Sequence, residues 1–251
     1  MCVVMSGNAF ADSQEESFAH FFSVAPATVR DVVGYKTPTG IPVTHVILGH
    51  YEKENQVWPG LVLMRCNDKE CRGSHVYLHP PKANIEILGI VDLLAAGPVG
   101  ERTSLDKGYR GQWVAMDRSV KSPKTMAWPA LMVKVEQRTR ESDSSRFGGS
   151  VVGERRETRL ILVSLRASEE NAPQLLDTSL TDLYPTGAGT TTSYRLVSGE
   201  GKSFDLVATE QRHIEDRSRC LNPPPVEYRL VFNGHGYQRQ ERGIWPRTGC
   251  H

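Results

Sequence analysis

The chain has 251 residues, 39% hydrophobic and 24% charged, so it can bury the core of one large domain or of two small ones. Its 30 basic and 29 acidic residues leave a formal net charge of +1, which gives no overall electrostatic reason to bind nucleic acid or an anionic membrane. No apolar run approaches about 18 residues, so no transmembrane helix is predicted.

The first eleven residues resemble the end of an export signal. Ala9-Phe10-Ala11 has the small-x-small pattern that a signal peptidase recognises, and a polar, acidic segment follows from Asp12. A basic region is missing and the apolar stretch is short, so these residues would be only the last part of a signal. We expect export to the periplasm or the cell exterior. The alternative is an irregular cytoplasmic N-terminus.

The cysteine content is consistent with export. Cleavage after residue 11 would remove Cys2 and leave four cysteines, an even number suited to an oxidising compartment. Four cysteines allow three pairings. Two pairs are close in sequence and flanked by turn-forming residues, so we predict disulfides from Cys66 to Cys71 and from Cys220 to Cys250.

The predicted elements are mostly short strands separated by Gly, Pro, Asn and Asp. A capping-box pattern at Ser13 predicts a short helix as far as Phe22. Residues 84–94 fit either a helix or a strand and are interpreted as a strand. In chain order, the predicted strands are 43–48, 61–64, 74–78, 84–94, 112–117, 130–136, 160–165, 193–197, 203–209, 226–232 and 237–240.

Two of these strands indicate the kind of sheet. Residues 160–165 are apolar on both faces, which predicts a central strand covered on each side. Residues 226–232 alternate between apolar and polar side chains and lead into an Asn-Gly turn, which predicts a hairpin. The fold class is therefore all-β, a mainly antiparallel sandwich or barrel-like fold with a minor short helix near the N-terminus.

The domain organisation has two interpretations. Residues 12–251 form one large β-domain, or 12–105 and 106–251 form two related β-subdomains. The second rests on Trp58-Pro59 and Trp128-Pro129, each of which leads into an apolar strand. Proline is common at the start of strands, so this preference explains the match as well as duplication does. Trp245-Pro246 has no apolar strand after it and weakens the case for a repeat.

No catalytic or cofactor-binding motif is present. Cys66, Cys71, His75 and His79 are the residue types that bind zinc, but two histidines four residues apart on a strand are separated by about 13 Å. A disulfide is therefore favoured over a metal site, and no metal or cofactor is predicted. An alternative secreted hydrolase would need dispersed groups to converge, and the candidates are His45, His79, Asp92, Asp205 and His213.

Residues 138–159 are the main candidate for binding. They are polar, charged and rich in Ser and Gly, and predict either a long mobile hairpin loop or two frayed strand ends. Interleaved acidic residues, with Phe147 as the single aromatic, argue against nucleic acid. The candidate contact residues are Arg140, Arg146, Phe147 and Arg155.

Together these features predict an exported β-rich binding or interaction protein whose partner is another protein or a surface glycan. A secreted hydrolase and a structural component of the envelope are the alternatives.

Overall fold

The computed structural model describes residues 9–37, 41–66, 71–78, 81–93, 128–145, 148–166, 174–198, 203–215 and 221–240. These residues form two compact units, which divide between Ile85 and Glu86, with Leu165 and Arg166 belonging to the first unit. The boundary suggested by the sequence, near residues 95–111, lies outside the described residues. The choice between one domain and two related subdomains therefore stays a prediction.

The first unit is a helix on a four-stranded antiparallel sheet. Helix α1 spans Ala9–Phe21, and a 3₁₀ helix spans Pro26–Thr28. The strands are β1 (Val29–Lys36), β2 (His45–Lys53), β3 (Gln56–Cys66) and β4 (Cys71–Leu78), and they lie in the order β1-β2-β3-β4. The N-terminal helix was predicted, but it begins before Ser13, so this serine is inside the helix and does not cap it.

A pair of glycines allows α1 to lie close to this sheet. Gly49 and Gly60 are direct partners across β2 and β3. A Cβ atom at Gly49 would lie 2.9 Å from the ring of Phe18, and one at Gly60 would collide with the ring of Phe22. The rings of Phe18 in the helix and of Phe22 just after it therefore need glycine beneath them. Phe22 also stacks on Tyr51, with 5.3 Å between ring centroids.

The second unit is an eight-stranded antiparallel sheet in which spatial order follows chain order. Its first strand, β5, crosses the division between the units. The strands are β5 (Asn84–Asp92), β6 (Pro129–Ser144), β7 (Ser150–Ser164), β8 (Gln174–Leu183), β9 (Gly189–Ser198), β10 (Phe204–His213), β11 (Val226–Phe232) and β12 (Tyr237–Arg239).

This sheet curls so that strands far apart in its order share one core. Four strands separate β6 from β11, yet the ring of Trp128 meets that of Phe232 edge-on at 5.3 Å. The Phe204 backbone N–H donates to the Leu93 carbonyl, which links β10 to the end of β5. The Tyr237 hydroxyl donates to the Phe204 carbonyl, and burial raises the pKa of this tyrosine, which keeps the donor protonated.

The predicted all-β class, with antiparallel sheets and one short N-terminal helix, is confirmed. The described strands form no closed barrel. The central position of residues 160–164 is also confirmed, because they are buried on β7 between β6 and β8. Strands β1 and β8 were not predicted, and residues 112–117 lie outside the described ranges. Among the residues that the structure describes, no helix combines the length and apolarity needed to cross a membrane.

Substitutions in the core of the second unit test this architecture. Leu162 and Leu230 are buried in one cluster, so replacing either by alanine should lower the free energy of unfolding by about 2–5 kcal/mol. The matched control is Leu221, which is 88% exposed. Leu221→Ala should change the free energy of unfolding by less than about 0.5 kcal/mol. Chemical denaturation measures all three. Core variants as stable as the control would show that the core is wrongly assigned.

Candidate functional site in the distal hairpin

The β6–β7 hairpin extends well beyond the core of the second unit. Its ladder continues without a register shift from Ala130 opposite Ser164 to Ser144 opposite Ser150. We call residues 137–145 and 148–157 the distal hairpin. Their side chains are half-buried or exposed, whereas both strands are buried at the base of the hairpin. Residues 138–159 therefore form paired strand ends and not a long loop.

Two glycines close the turn of the distal hairpin. Gly148 and Gly149 have φ angles of 92° and 86°, which side chains of L-residues rarely adopt. The Ser145 N–H donates to the Gly149 carbonyl at 3.2 Å, and the Gly148 N–H donates to the Ser145 carbonyl at 3.1 Å. These hydrogen bonds continue the backbone pairing into the turn.

The strand period divides the charges of the distal hairpin between two faces. Alternate residues of a strand lie on the same face, and directly opposite residues share that face. The face that we call the outer face is exposed and carries Arg138, Arg140, Ser142, Val152, Glu154 and Arg156. The face that we call the inner face carries Thr139, Glu141, Asp143, Val151, Gly153, Arg155 and Glu157. The outer face is therefore mainly basic and the inner face mainly acidic.

The inner face packs against the turn between β8 and β9. Gly153 lies beside Pro185, and a Cβ at this glycine would be 3.1 Å from the proline Cβ. Arg155 donates two hydrogen bonds to the carboxylate of Asp182, at 2.9 and 3.1 Å. These bonds raise the pKa of Arg155, and its guanidinium also lies 4.7 Å from the centroid of the Tyr184 ring. The hairpin is thus held to its neighbour by an ion pair and an aromatic contact.

A polar cavity of about 340 Å³ lies at this end of the hairpin. It is lined by Asp143, Ser144, Tyr184, Thr186, Ala188, Arg212, His213, Ile214 and Glu215. The Thr186 hydroxyl donates to Asp143 Oδ2 at 2.7 Å, and the Ser145 hydroxyl donates to Glu215 Oε1 at 2.5 Å. Glu215 is only 4% exposed.

The lining of this cavity favours recognition of a polar ligand. Its volume is within the range of small-molecule sites, about 300–1,000 Å³. Two carboxylates, a guanidinium, an imidazole and a tyrosine ring offer hydrogen bonds and one aromatic surface. Within the described ranges, no three His, Cys, Asp or Glu side chains are grouped so as to hold a metal ion.

The structure separates the residues proposed from sequence for binding. Arg140 lies on the outer face and Arg155 on the inner face, so the two cannot contact one surface together. Arg146 and Phe147 lie outside the described residues.

Two of the hydrolase candidates, Asp205 and His213, are not brought together. They lie on β10, eight residues or about 26 Å apart. His45 is on β2 in the first unit. Asp205 is buried, with Arg229 Nη2 2.8 Å from its carboxylate. His79 lies outside the described residues, as does the side chain of Asp92. His213 does line the cavity, at the end of a strand and not in a loop, and its Nε2 is 2.8 Å from the Thr191 hydroxyl.

Several residues of the site had no signal in the sequence. Asp143, Tyr184, Thr186 and Glu215 come from three separate segments and meet only because the hairpin packs against the β8–β9 turn. The division of charge between the faces did have a signal, since arginines stand at the even positions 138 and 140 and acids at the odd positions 141 and 143. This difference between even and odd positions becomes informative only once the segment is known to be a strand.

The predicted cysteine pairs are only partly within the described residues. Cys66 and Cys71 are direct backbone partners at the end of the β3–β4 ladder. Cys220 and Cys250 lie outside the described ranges. Both disulfides stay predictions.

Comparison of the chain with protein-family models, with curated proteins and with solved structures finds no match. Any functional conclusion must therefore come from the geometry of the molecule.

The Arg155–Asp182 pair should stabilise the position of the distal hairpin. A double-mutant cycle with alanine at both positions should give a coupling energy of about 1–2 kcal/mol, because the contact has two charge-assisted hydrogen bonds between half-buried side chains. The control pair Arg195–Glu227 has one contact of 3.4 Å between exposed side chains and should give less than about 0.5 kcal/mol. Unfolding free energies measure both cycles. Equal coupling in the two pairs would contradict this role.

Proposed function

We propose that this protein is an exported binding protein, periplasmic or extracellular, whose contact surface is the distal hairpin. The observation that carries the proposal is the continuous β6–β7 ladder, which presents an exposed polar face beyond the core. Binding residues are commonly positioned by a rigid scaffold. The partner is another protein or a surface glycan.

The composition of the distal hairpin supports contact with a partner more than a role in stability. Its outer face buries no apolar side chain, and Val152 on that face is 63% exposed. Arg138 and Arg156 are direct cross-strand partners, an arrangement of like charges that destabilises a sheet. The length of these strands is therefore not explained by the packing of the core.

A hydrolase remains the second candidate because of one observation. The cavity brings His213 together with Asp143 and Glu215, which are residue types used in acid–base catalysis. Each of these side chains has a neutral hydroxyl partner, from Thr191, Thr186 and Ser145 respectively. This candidate requires turnover of a substrate, whereas the binding proposal requires only association.

Shortening the hairpin tests the binding proposal. Thr139 and Arg155 are cross-strand partners, so an Asn-Gly turn can replace residues 140–154 and join them directly. The midpoint of chemical unfolding should fall only modestly, because the removed segment contains no fully buried side chain among its described residues and its side-chain contacts with Thr186 and Glu215 are single hydrogen bonds. Association with the partner that co-purifies with the wild-type protein should be lost.

The control for this variant changes a different exposed turn. Glu54 and Asn55 have φ angles of 54° and 59° between β2 and β3, so Glu54→Asn with Asn55→Gly fits the same turn conformation. This control should retain the partner. If the shortened variant is well folded and still binds the co-purifying partner, the distal hairpin is not part of the interface.

Export and the disulfides form the second part of the proposal. Cleavage after Ala11 would remove only the first three residues of α1 and would leave Phe18 and Phe22 on the sheet. Cys66 and Cys71 are direct backbone partners at the end of the β3–β4 ladder, but the described residues contain no cysteine pair at disulfide distance, so the proposed bridge rests on the sequence pattern.

Protein recovered from its native compartment tests this part directly. Its mass should correspond to a chain that begins at Asp12, and non-reducing peptide mapping should join Cys66 to Cys71 and Cys220 to Cys250. Reduction by an added thiol reagent should add two hydrogen atoms for each bridge, four mass units in all. A chain that retains Met1 and has four free thiols at these positions would contradict export.

A further inference from the structure

The outer face of the distal hairpin differs from the other basic surfaces of the second unit in its unpaired arginines. Five described arginines elsewhere in this unit pair with carboxylates, in Arg155–Asp182, Arg159–Asp177, Arg195–Glu227, Arg229–Asp205 and Arg239–Glu210. Arg212, which lines the cavity, is the other described arginine of this unit without an ion pair. Arg140 and Arg156 form no ion pair with any described residue, although both are exposed. Glu154, which lies directly opposite Arg140 across the ladder, is the one described carboxylate of this face, so most of the charge of its three arginines is available to a partner.

The third arginine of this face is only weakly neutralised. Arg138 Nη1 lies 3.9 Å from a carboxylate oxygen of Glu154, and the two side chains are 66% and 54% exposed. An ion pair of this length and exposure contributes little. The face therefore carries three arginines against one glutamate, while the whole chain has a net charge of only +1.

The backbone ladder holds these arginines in a fixed arrangement. Arg138 and Arg156 lie directly opposite each other, with about 5 Å between their Cβ atoms, and Arg140 follows about 7 Å further along β6. Each guanidinium can donate two parallel hydrogen bonds to one carboxylate group. A bound anion would also remove the repulsion between the two opposite arginines.

The remaining residues of the face indicate which class of anion fits. Protein interfaces depend on buried aromatic anchors, and single-stranded nucleic acid needs aromatic rings on which its bases stack. The described outer face has no aromatic side chain, and its one apolar residue is Val152. A flat face of this kind suits a stiff anionic polymer, which loses little conformational entropy when it binds.

We propose that the outer face binds an anionic polysaccharide through its carboxylate groups, which Arg138, Arg140 and Arg156 hold. The inference rests on the proposed binding function and names the partner class. The polysaccharide lies along the hairpin, and its carboxylates replace the missing counter-ions of Arg140 and Arg156.

Binding of defined polymers to the whole protein tests this inference. Polygalacturonate should bind in calorimetric titrations at low ionic strength. Added salt should weaken this binding, because it screens the charges. Polyglutamate has the same carboxylate groups on a flexible chain that must be ordered on binding, so it should bind at least about tenfold more weakly. Neutral dextran should not bind.

Two double variants separate the outer face from overall charge. Arg140→Glu with Arg156→Glu should weaken polygalacturonate binding by at least about tenfold, because two charge-assisted contacts become repulsive. Lys53→Glu with Lys82→Glu makes the same change in net charge in the first unit and should leave binding within about twofold of wild type. Unchanged midpoints of chemical unfolding would establish that both variants are folded.

Two results would overturn the inference. One is equal affinity for polygalacturonate and polyglutamate, which would mean that the face does not distinguish a polysaccharide from an acidic polypeptide. The other is undiminished polysaccharide binding by the arginine variant. Both leave the proposed binding function intact, because loss of the co-purifying partner from the shortened hairpin is measured separately.

Discussion

The register of the β6–β7 ladder is the constraint on which the second unit and its candidate site both depend. At the base of the hairpin, Met132 and Leu162 are partners within the core, and burial there strongly specifies the pairing. The same register continues without a shift to the turn. A slip of one residue in β6 would exchange Arg140 for Glu141 on the outer face. Apolar packing at one end of the hairpin therefore fixes the distribution of charge at the other end.

The inner face shows how this hairpin is integrated with the rest of the sheet. Gly153 gives Pro185 room to approach, and Arg155 pairs with Asp182 on the neighbouring strand. Gly189 begins β9 at a φ of 145°, where any side chain would collide with the backbone carbonyl of Asp182. These contacts place the β8–β9 turn beside the hairpin and create the polar cavity. The site is thus a consequence of close backbone approach and of the curl of the sheet.

The two faces of the distal hairpin have different physical characters. On the inner side, Asp143 accepts a hydrogen bond from the Thr186 hydroxyl, whereas Arg140 and Arg156 on the outer side form no ion pair with a described residue. An exposed pair of like charges costs stability and gives no packing in return. Retention of such a pair on a rigid ladder is understandable if a partner supplies the opposite charge.

Local patterns in the sequence were enough for the fold class and for most strands. The apolar residues of 160–164 indicated a central strand, and the alternation in 226–232 indicated a strand with the bounds that the structure has. β8 was missed because its leucines do not alternate regularly, and its pairing with β7 contains two register shifts. The curl that joins Trp128 to Phe232 has no local signal. Only the tertiary structure decided the candidate site. Asp143, Tyr184 and Glu215 are distant in sequence and meet through the packing of the sheet. The faces on which Arg140 and Arg155 lie depend on a strand register that the buried core imposes.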